Sequence, residues 1–216
     1  MIERLIGTAR VIEAGQEILR NDDAPESRYF IQRGWVMRSV TLGDGRRQVT
    51  GLLLPGDDFK VSPIICSAGP IRLTALGTVT VWCVHPERMA QALERRAIKR
   101  AFRTSDIVNE GILHSSLLSL GQRTSVERTA HLICELYLRS RRAGLVEGSS
   151  FIAPLTQDQI ADMIGMTAVH VNRMLKEIRQ SGLAEMSRHT VTVFDLPSLM
   201  SMASFEPAYL FVGGNS

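Results

Sequence analysis

The side chains with the most chemistry to offer lie between Leu155 and Asp195. Val171, Met174, Leu175 and Ile178 recur at i, i+3, i+4 and i+7, the spacing of one helix face. With that face inward, Ala168, Val169, His170, Asn172, Arg173 and Lys176 stand near or on the outer one. Arg173 can present two parallel N–H donors to guanine O6 and N7, the commonest specific protein–DNA contact. Asn172 and His170 can bond base edges or phosphate oxygens. Thr167 falls at the helix N-terminus, where free backbone N–H groups suit a phosphate. Arg188 lies in a short turn downstream and completes the set. The chemistry these residues suggest is the reading of double-stranded DNA.

The surrounding elements fit that task. Thr156-Gln-Asp-Gln159 is a capping box, in which the hydroxyl and the amide each satisfy an exposed backbone N–H. It opens a short helix with Ile160, Ala161 and Ile164 inward, and Gly165 stops it. Thr167 caps the second helix and Gly182 ends it, giving a helix-turn-helix. Leu183–Met186 and Thr190–Phe194 can pair around Ser187-Arg188-His189 as a wing. Between Thr156 and Thr190 the bases Arg173, Lys176, Arg179 and Arg188 balance Asp158, Asp162, Glu177 and Glu185. Binding must then rely on local placement and two-fold symmetry, with a moderate salt dependence.

Upstream, Thr124-Ser-Val-Glu127 is another capping box, and its helix should run to Arg139-Ser-Arg-Arg-Ala. From His85-Pro86 to about residue 143 the composition favours helix, with Gly111 and Gly121 as weak points. At about 100° per residue, Ile98, Ala101, Phe102, Val108, Ile112, Leu113, Leu117 and Leu120 share one half of a helix over 97–122. Ile107 and Leu118 lie nearly opposite. A double stripe fits a homodimer helix, with Phe102, Val108, Ile112 and Leu113 as candidate contacts. A helix buried on both sides within one chain is the alternative.

The first 85 residues read as short strands between turns. Tyr29–Gly34, Trp35–Leu42, Gln48–Leu54 and Thr74–Val84 are the candidates, with Gly43-Asp44-Gly45 as a hairpin turn. Their spacing indicates an antiparallel barrel or roll.

Composition narrows the function classes. Of 216 residues, 44% are hydrophobic and 22% charged, which excludes disordered and collagen-like chains. The net charge of +3 permits a polyanionic partner without demanding one. No apolar run reaches the ~18 residues of a membrane span, and the N-terminus lacks a secretory pattern, so a soluble cytoplasmic protein is expected. Cys66, Cys83 and Cys134 are too few and too scattered for a four-thiolate cluster, a zinc site or a disulfide framework. G-x-S-x-G, H-E-x-x-H and phosphate-cradling glycine loops are missing, so no enzyme is expected. His114 and His131 read as structural groups on helices. No cofactor and no metal are predicted.

The run Leu155-Thr-Gln-Asp-Gln-Ile-Ala-Asp-Met-Ile-Gly-Met-Thr-Ala-Val-His-Val-Asn-Arg173 resembles the winged helix-turn-helix of Crp-Fnr transcription regulators. Val169-His-Val-Asn-Arg173 is similar to one branch of that family. Gly43-Asp-Gly-Arg-Arg-Gln-Val49 and Leu54-Pro-Gly-Asp-Asp-Phe59 resemble its β-roll. The resemblance implies an α+β chain with a roll-shaped sensor over 1–96, a dimerisation helix over 97–122 and a winged helix-turn-helix over 123–216. It also implies a homodimer on an inverted-repeat operator and, for an activator, contact with RNA polymerase.

Two departures stand out. Where cyclic AMP-binding members carry a Gly-Glu and an Arg-Ser pair, an ungapped count places Val61-Ser62 and Arg72-Leu73 here. The ribose-binding carboxylate is gone and Leu73 cannot bond a phosphate, so cyclic AMP is not the expected effector. Ser62, Arg72, Leu73 and Thr74 remain candidates for an effector pocket of unknown specificity, and a haem, thiol oxidation at Cys66 or Cys134, or no effector at all stay open. Where many relatives carry a Glu that accepts from cytosine N4, Val169 can touch only a thymine methyl. Two other readings remain: a ligand-sensing module acting through protein contact, and a true cyclic nucleotide-responsive regulator.

Overall fold

The computed structural model describes residues 9–19, 26–60 and 71–211, so Val61, Ser62 and Cys66 lie outside the described residues. The chain packs as two compact units that divide between Asp106 and Ile107.

The first unit is an antiparallel roll. Strands β1 (Ala9–Ile12), β2 (Arg28–Thr41), β3 (Arg47–Leu53) and β5 (Ile71–Val84) form a sheet in the order β1-β5-β2-β3, and β4 (Asp58–Lys60) pairs with β2. Side chains alternate across these strands, and one face closes over Ile12, Ile18, Tyr29, Ile31, Val36, Leu53, Leu73, Val79 and Val81. The two runs expected on either side of Gly34 are one strand, β2. Gly34 does not end it: with φ +78° it sits where the register against β5 shifts. A Cβ there would lie 2.6 Å from the Thr78 carbonyl oxygen, so the long ribbon bends at a place only glycine fits. The Gly43-Asp44-Gly45 turn forms as expected, the Gly45 N–H donating to the Leu42 carbonyl at 2.9 Å.

Helix α1 (Pro86–Leu93) starts on its proline, and α2 (Arg96–Gln122) follows. The ends of α2 match the expected helix, but the packing boundary falls inside it. Its early residue Phe102 lies under the Arg28 guanidinium, 4.1 Å from ring centre to Cζ, and 5.8 Å from the Phe30 ring.

The second unit begins with the rest of α2. Helix α3 (Ser125–Arg142) carries the expected capping box at Thr124 and Glu127. Strand β6 (Ser150–Ile152), helices α4 (Gln157–Ile164) and α5 (Ala168–Gln180), strands β7 (Ala184–Ser187) and β8 (Thr190–Val193), and helix α6 (Leu196–Met202) follow. The small sheet runs β6-β8-β7, antiparallel throughout. Leu132, Leu136, Phe151, Leu155, Ile160, Val171, Ile178 and Val191 form its core. Gly111 is explained by packing: a Cβ there would lie 2.8 Å from the Tyr209 Cβ, so the closing 3-10 turn (Pro207–Leu210) can press on α2 only at a glycine.

No described helix is long and apolar enough to cross a membrane.

Candidate nucleic-acid interface

Helices α4 and α5 form the helix-turn-helix. The Thr156 hydroxyl accepts from the Gln159 N–H at 3.2 Å, and Gln159 Oε1 accepts from the Thr156 N–H at 2.8 Å. Gly165, left-handed at φ +65°, closes α4, and the Thr167 hydroxyl accepts from the His170 N–H at 3.3 Å to start α5. Val171, Met174 and Ile178 are buried and Leu175 is half-buried, so the expected inner face is seated.

The outer face carries the candidate DNA-reading residues. Thr167, Val169, Asn172, Arg173 and Lys176 are exposed, Val169 at 81%, while Ala168 and His170 are half-buried. Arg173 Nη2 lies 3.3 Å from His170 Nε2. Arginine has no acceptor, so the imidazole nitrogen is the accepting partner in this contact. This contact steadies the guanidinium one turn from the helix start. Asn172 Nδ2 donates to Gln157 Oε1 on the first turn of α4. Sequence reasoning passed over Gln157; its place inside the capping box was the only signal. Strands β7 and β8 pair from Ser187 to Thr190 and leave Arg188-His189 as the tip of the wing. Arg188 is exposed there with φ +55°, a conformation that costs any residue but glycine some strain.

Another missed residue is Arg128 on α3. Its guanidinium donates to the Ile164 carbonyl at 2.7 Å, the Arg123 carbonyl at 3.1 Å and the Leu120 carbonyl at 3.3 Å. It thereby satisfies orphan carbonyls at the C-terminal ends of both α4 and α2. Arg123 donates to Ser119 Oγ at 2.7 Å and to the Ala203 and Ser204 carbonyls, each at 3.2 Å. Two arginines thus fasten the last turn of α2 to the DNA-reading unit.

The candidate dimer contacts separate. Ile112 is only 8% exposed and faces its own unit, and Phe102 is engaged by Arg28 and Phe30. Val108 is half-buried and Leu113 exposed. The exposed apolar residues of α2 are instead Ile107, Leu113, Leu117, Leu118 and Leu120, Leu117 most of all at 70%. The reason is geometric: Phe102 and Ile112 belong to the stripe that packs on the chain's own cores, so of the four candidates only Leu113 is exposed.

Among the described candidate effector residues, Arg72 and Thr74 share one strand face beside Glu17 and Leu73 takes the other. Arg72 and Leu73 are strand neighbours and point to opposite faces. Leu73 is buried in the roll core, whereas Arg72 is exposed and pairs with Glu17 at 3.1 Å. Thr74 is half-buried and bridges to the Glu17 backbone. Ser62 lies outside the described residues.

Burial pushes the Cys134 thiol up to about 12, which keeps it protonated and unreactive near neutrality. That removes Cys134 as an oxidation switch. His131 is brought down to about 3, first by burial and then by the Arg123 charge, and its Nε2 lies 2.9 Å from Ser115 Oγ on α2. His131 is therefore a structural group, and His114 is exposed. Among the described residues no three His, Cys, Asp or Glu side chains converge on a metal-sized site.

Two family models match the chain: a cyclic nucleotide-binding domain over residues 9–96 and a Crp-like helix-turn-helix domain over residues 127–202. Both are domains of Crp-Fnr transcription regulators, the family this chain resembles in each of its two parts. Members of this family bind DNA and act as dimers. Similar proteins include a probable transcriptional activator of Rhizobium leguminosarum bv. viciae, 28% identical over 90% of this chain and 81% of that one. The transcriptional activator FnrL of Cereibacter sphaeroides is 26% identical over 90% of this chain and 79% of its own. FixK2 from Bradyrhizobium japonicum shares the fold, with a TM-score of 0.75 over 90% of this chain and 96% of that one at 22% identity.

Proposed function

We propose that this regulator reads its operator with the α5 face bearing Val169, His170, Asn172, Arg173 and Lys176. Thr167, Ala168 and Arg188 flank that face at the phosphates. The observation that carries the reading is the exposure of this row on the second helix of a capped helix-turn-helix whose inner face is seated. Arg173 exchanges its contact with His170 for guanine O6 and N7, and Val169 meets a thymine methyl. The Val169-His-Val-Asn-Arg173 sequence supports a distinct branch of the family with its own half-site. The labour divides into a roll sensor over 1–96, a dimer helix over 97–122 and a DNA-reading region over 123–216. The homodimer is built on Leu113, Leu117 and Leu120, which follow one another at i, i+4 and i+7 on α2 and are all exposed. It works in the cytoplasm and, at a promoter it activates, touches RNA polymerase.

Cyclic AMP is not the signal. Leu73 is committed to the core and Arg72 pairs with Glu17, which supports a reading in which the Arg72-Leu73 pair does not hold a phosphate.

Selection of bound sequences from random duplex DNA tests the reading. The expected product is two inverted half-sites with centres about one helical turn apart; failure to enrich any sequence overturns it. Leu117→Glu should yield a folded monomer by sedimentation, and an intact dimer would displace the proposed contact. Cyclic AMP should leave the melting temperature unchanged, whereas a saturable rise would overturn the reading of the cassette.

A further inference from the structure

The first unit contains a cavity of about 170 Å³ that no part of the DNA-binding reading uses. Phe30 and Val84 line it from the sheet, Met89 and Ala92 from α1, and Ile98 and Phe102 from the first turns of α2. It is separate from the cassette positions, since Arg72, Leu73 and Thr74 do not line it. We propose that this cavity is a binding site for a small uncharged apolar molecule, the size of one aromatic ring.

Size, lining and charge support that class. An engineered apolar cavity of about 150 Å³ in another protein takes up benzene, so the volume suits one ring. Its surface is almost wholly carbon, and a water needs two to four polar partners to settle, so solvent is a poor occupant. The polar groups at its edge are spent on each other. The Asp58 carboxylate accepts from Arg28 Nε and from Ser105 Oγ at 2.9 Å, and Arg28 also reaches Asp106 at 3.1 Å. A cation finds Asp58 already neutralised by Arg28, and an anion meets a buried carboxylate. Charge therefore excludes ligands here and does not recruit them. An occupant would touch α2 directly through Ile98 and Phe102, beside the Arg28 contacts that hold this helix start to the roll.

The test uses the full chain without DNA, so it stands apart from the reading of α5. Benzene and indole are the probes, with benzoate and benzylamine as charged controls. Benzene or indole should raise the melting temperature saturably by a few degrees and move the methyl resonances of Ile98 and Met89. Ala92→Leu fills the cavity and should abolish both responses; Ala101→Leu, at its more exposed edge, does the same where the first variant folds poorly. Absence of any shift up to the solubility of both probes overturns the proposal. So does a shift that survives in the folded filled variant, which would place the binding elsewhere. An equal response to benzoate or benzylamine overturns the uncharged class.

Discussion

The two units present their chemistry in opposite ways. In the second, the outward residues from Thr167 to Lys176 come from one helix, and their direction follows from its 3.6-residue period. In the first, the cavity walls come from β2, β4, β5, α1 and α2, spread over residues from Phe30 to Ser105. A face made by one element depends on local signals such as caps. A pocket made by five depends on sheet register and on side chains that hold distant segments together. The two should fail differently when altered.

The largest effect belongs to the first unit. Arg28 and Asp58 are nearly buried, with side chains 12% and 5% exposed. Arg28→Met leaves the carboxylate desolvated without its partner, which costs about 3–5 kcal/mol. Both tryptophans, Trp35 and Trp82, lie in the roll, so urea unfolding followed by their fluorescence reports this unit. Adding Asp58→Asn should restore much of the loss, because the orphaned charge and not the missing attraction is the main cost. If Arg28→Met leaves the midpoint in place, the ion pair does not secure the roll.

Arg173→Ala should do the reverse. The residue is exposed and supports no core contact, so the tryptophan transition stays where it was. Operator affinity falls by roughly 1–3 kcal/mol per half-site, and preference relaxes at one base pair. Titration of labelled duplexes carrying each base at that position checks both. A uniform loss over all four bases would make Arg173 a phosphate contact.

This contrast also explains what the sequence could reveal. The capping boxes at Thr124 and Thr156, the turn at Gly165, the wing and the inner face of α5 are all local, and each was legible from short-range spacing. The Arg28–Asp58 pair, the Ile164 carbonyl held by Arg128 and the seat of Tyr209 on Gly111 join residues 30, 36 and 98 positions apart. No local signal marks them. Phe102 and Ile112 show the limit most clearly: periodicity placed them on the apolar side of α2, but only packing shows that this side is already covered by the chain itself. Gly34 misled for a related reason, since a glycine that bends a strand and one that ends it look alike in sequence.

His131 offers a smaller, pH-dependent effect confined to the second unit. Its folded value of about 3 lies below the unfolded value of about 6.5, so the unfolded chain binds the extra proton. Stability is complete above that unfolded value and is lost as the pH falls toward the folded one. At pH 5.5 the loss is about 1 kcal/mol, and His131→Gln should remove this component of the slope. Far-ultraviolet circular dichroism of the second unit's helices follows it. An identical pH dependence in the variant would mean that water reaches the ring.

The smallest effect tests whether a local signal carries beyond its own turn. Thr156→Ala removes one half of the α4 capping box and should cost about 1 kcal/mol. Faster amide exchange at Gln159 is the direct readout, because its N–H loses the hydroxyl acceptor. The adjacent Gln157 holds Asn172, so a frayed first turn also frees a side chain of the reading face. Affinity should then drop by less than in Arg173→Ala, with the same base preference, since no base contact has been deleted. Faster exchange with undiminished affinity would show that Asn172 is positioned by α5 alone, and that the first helix supports the second only through their shared core.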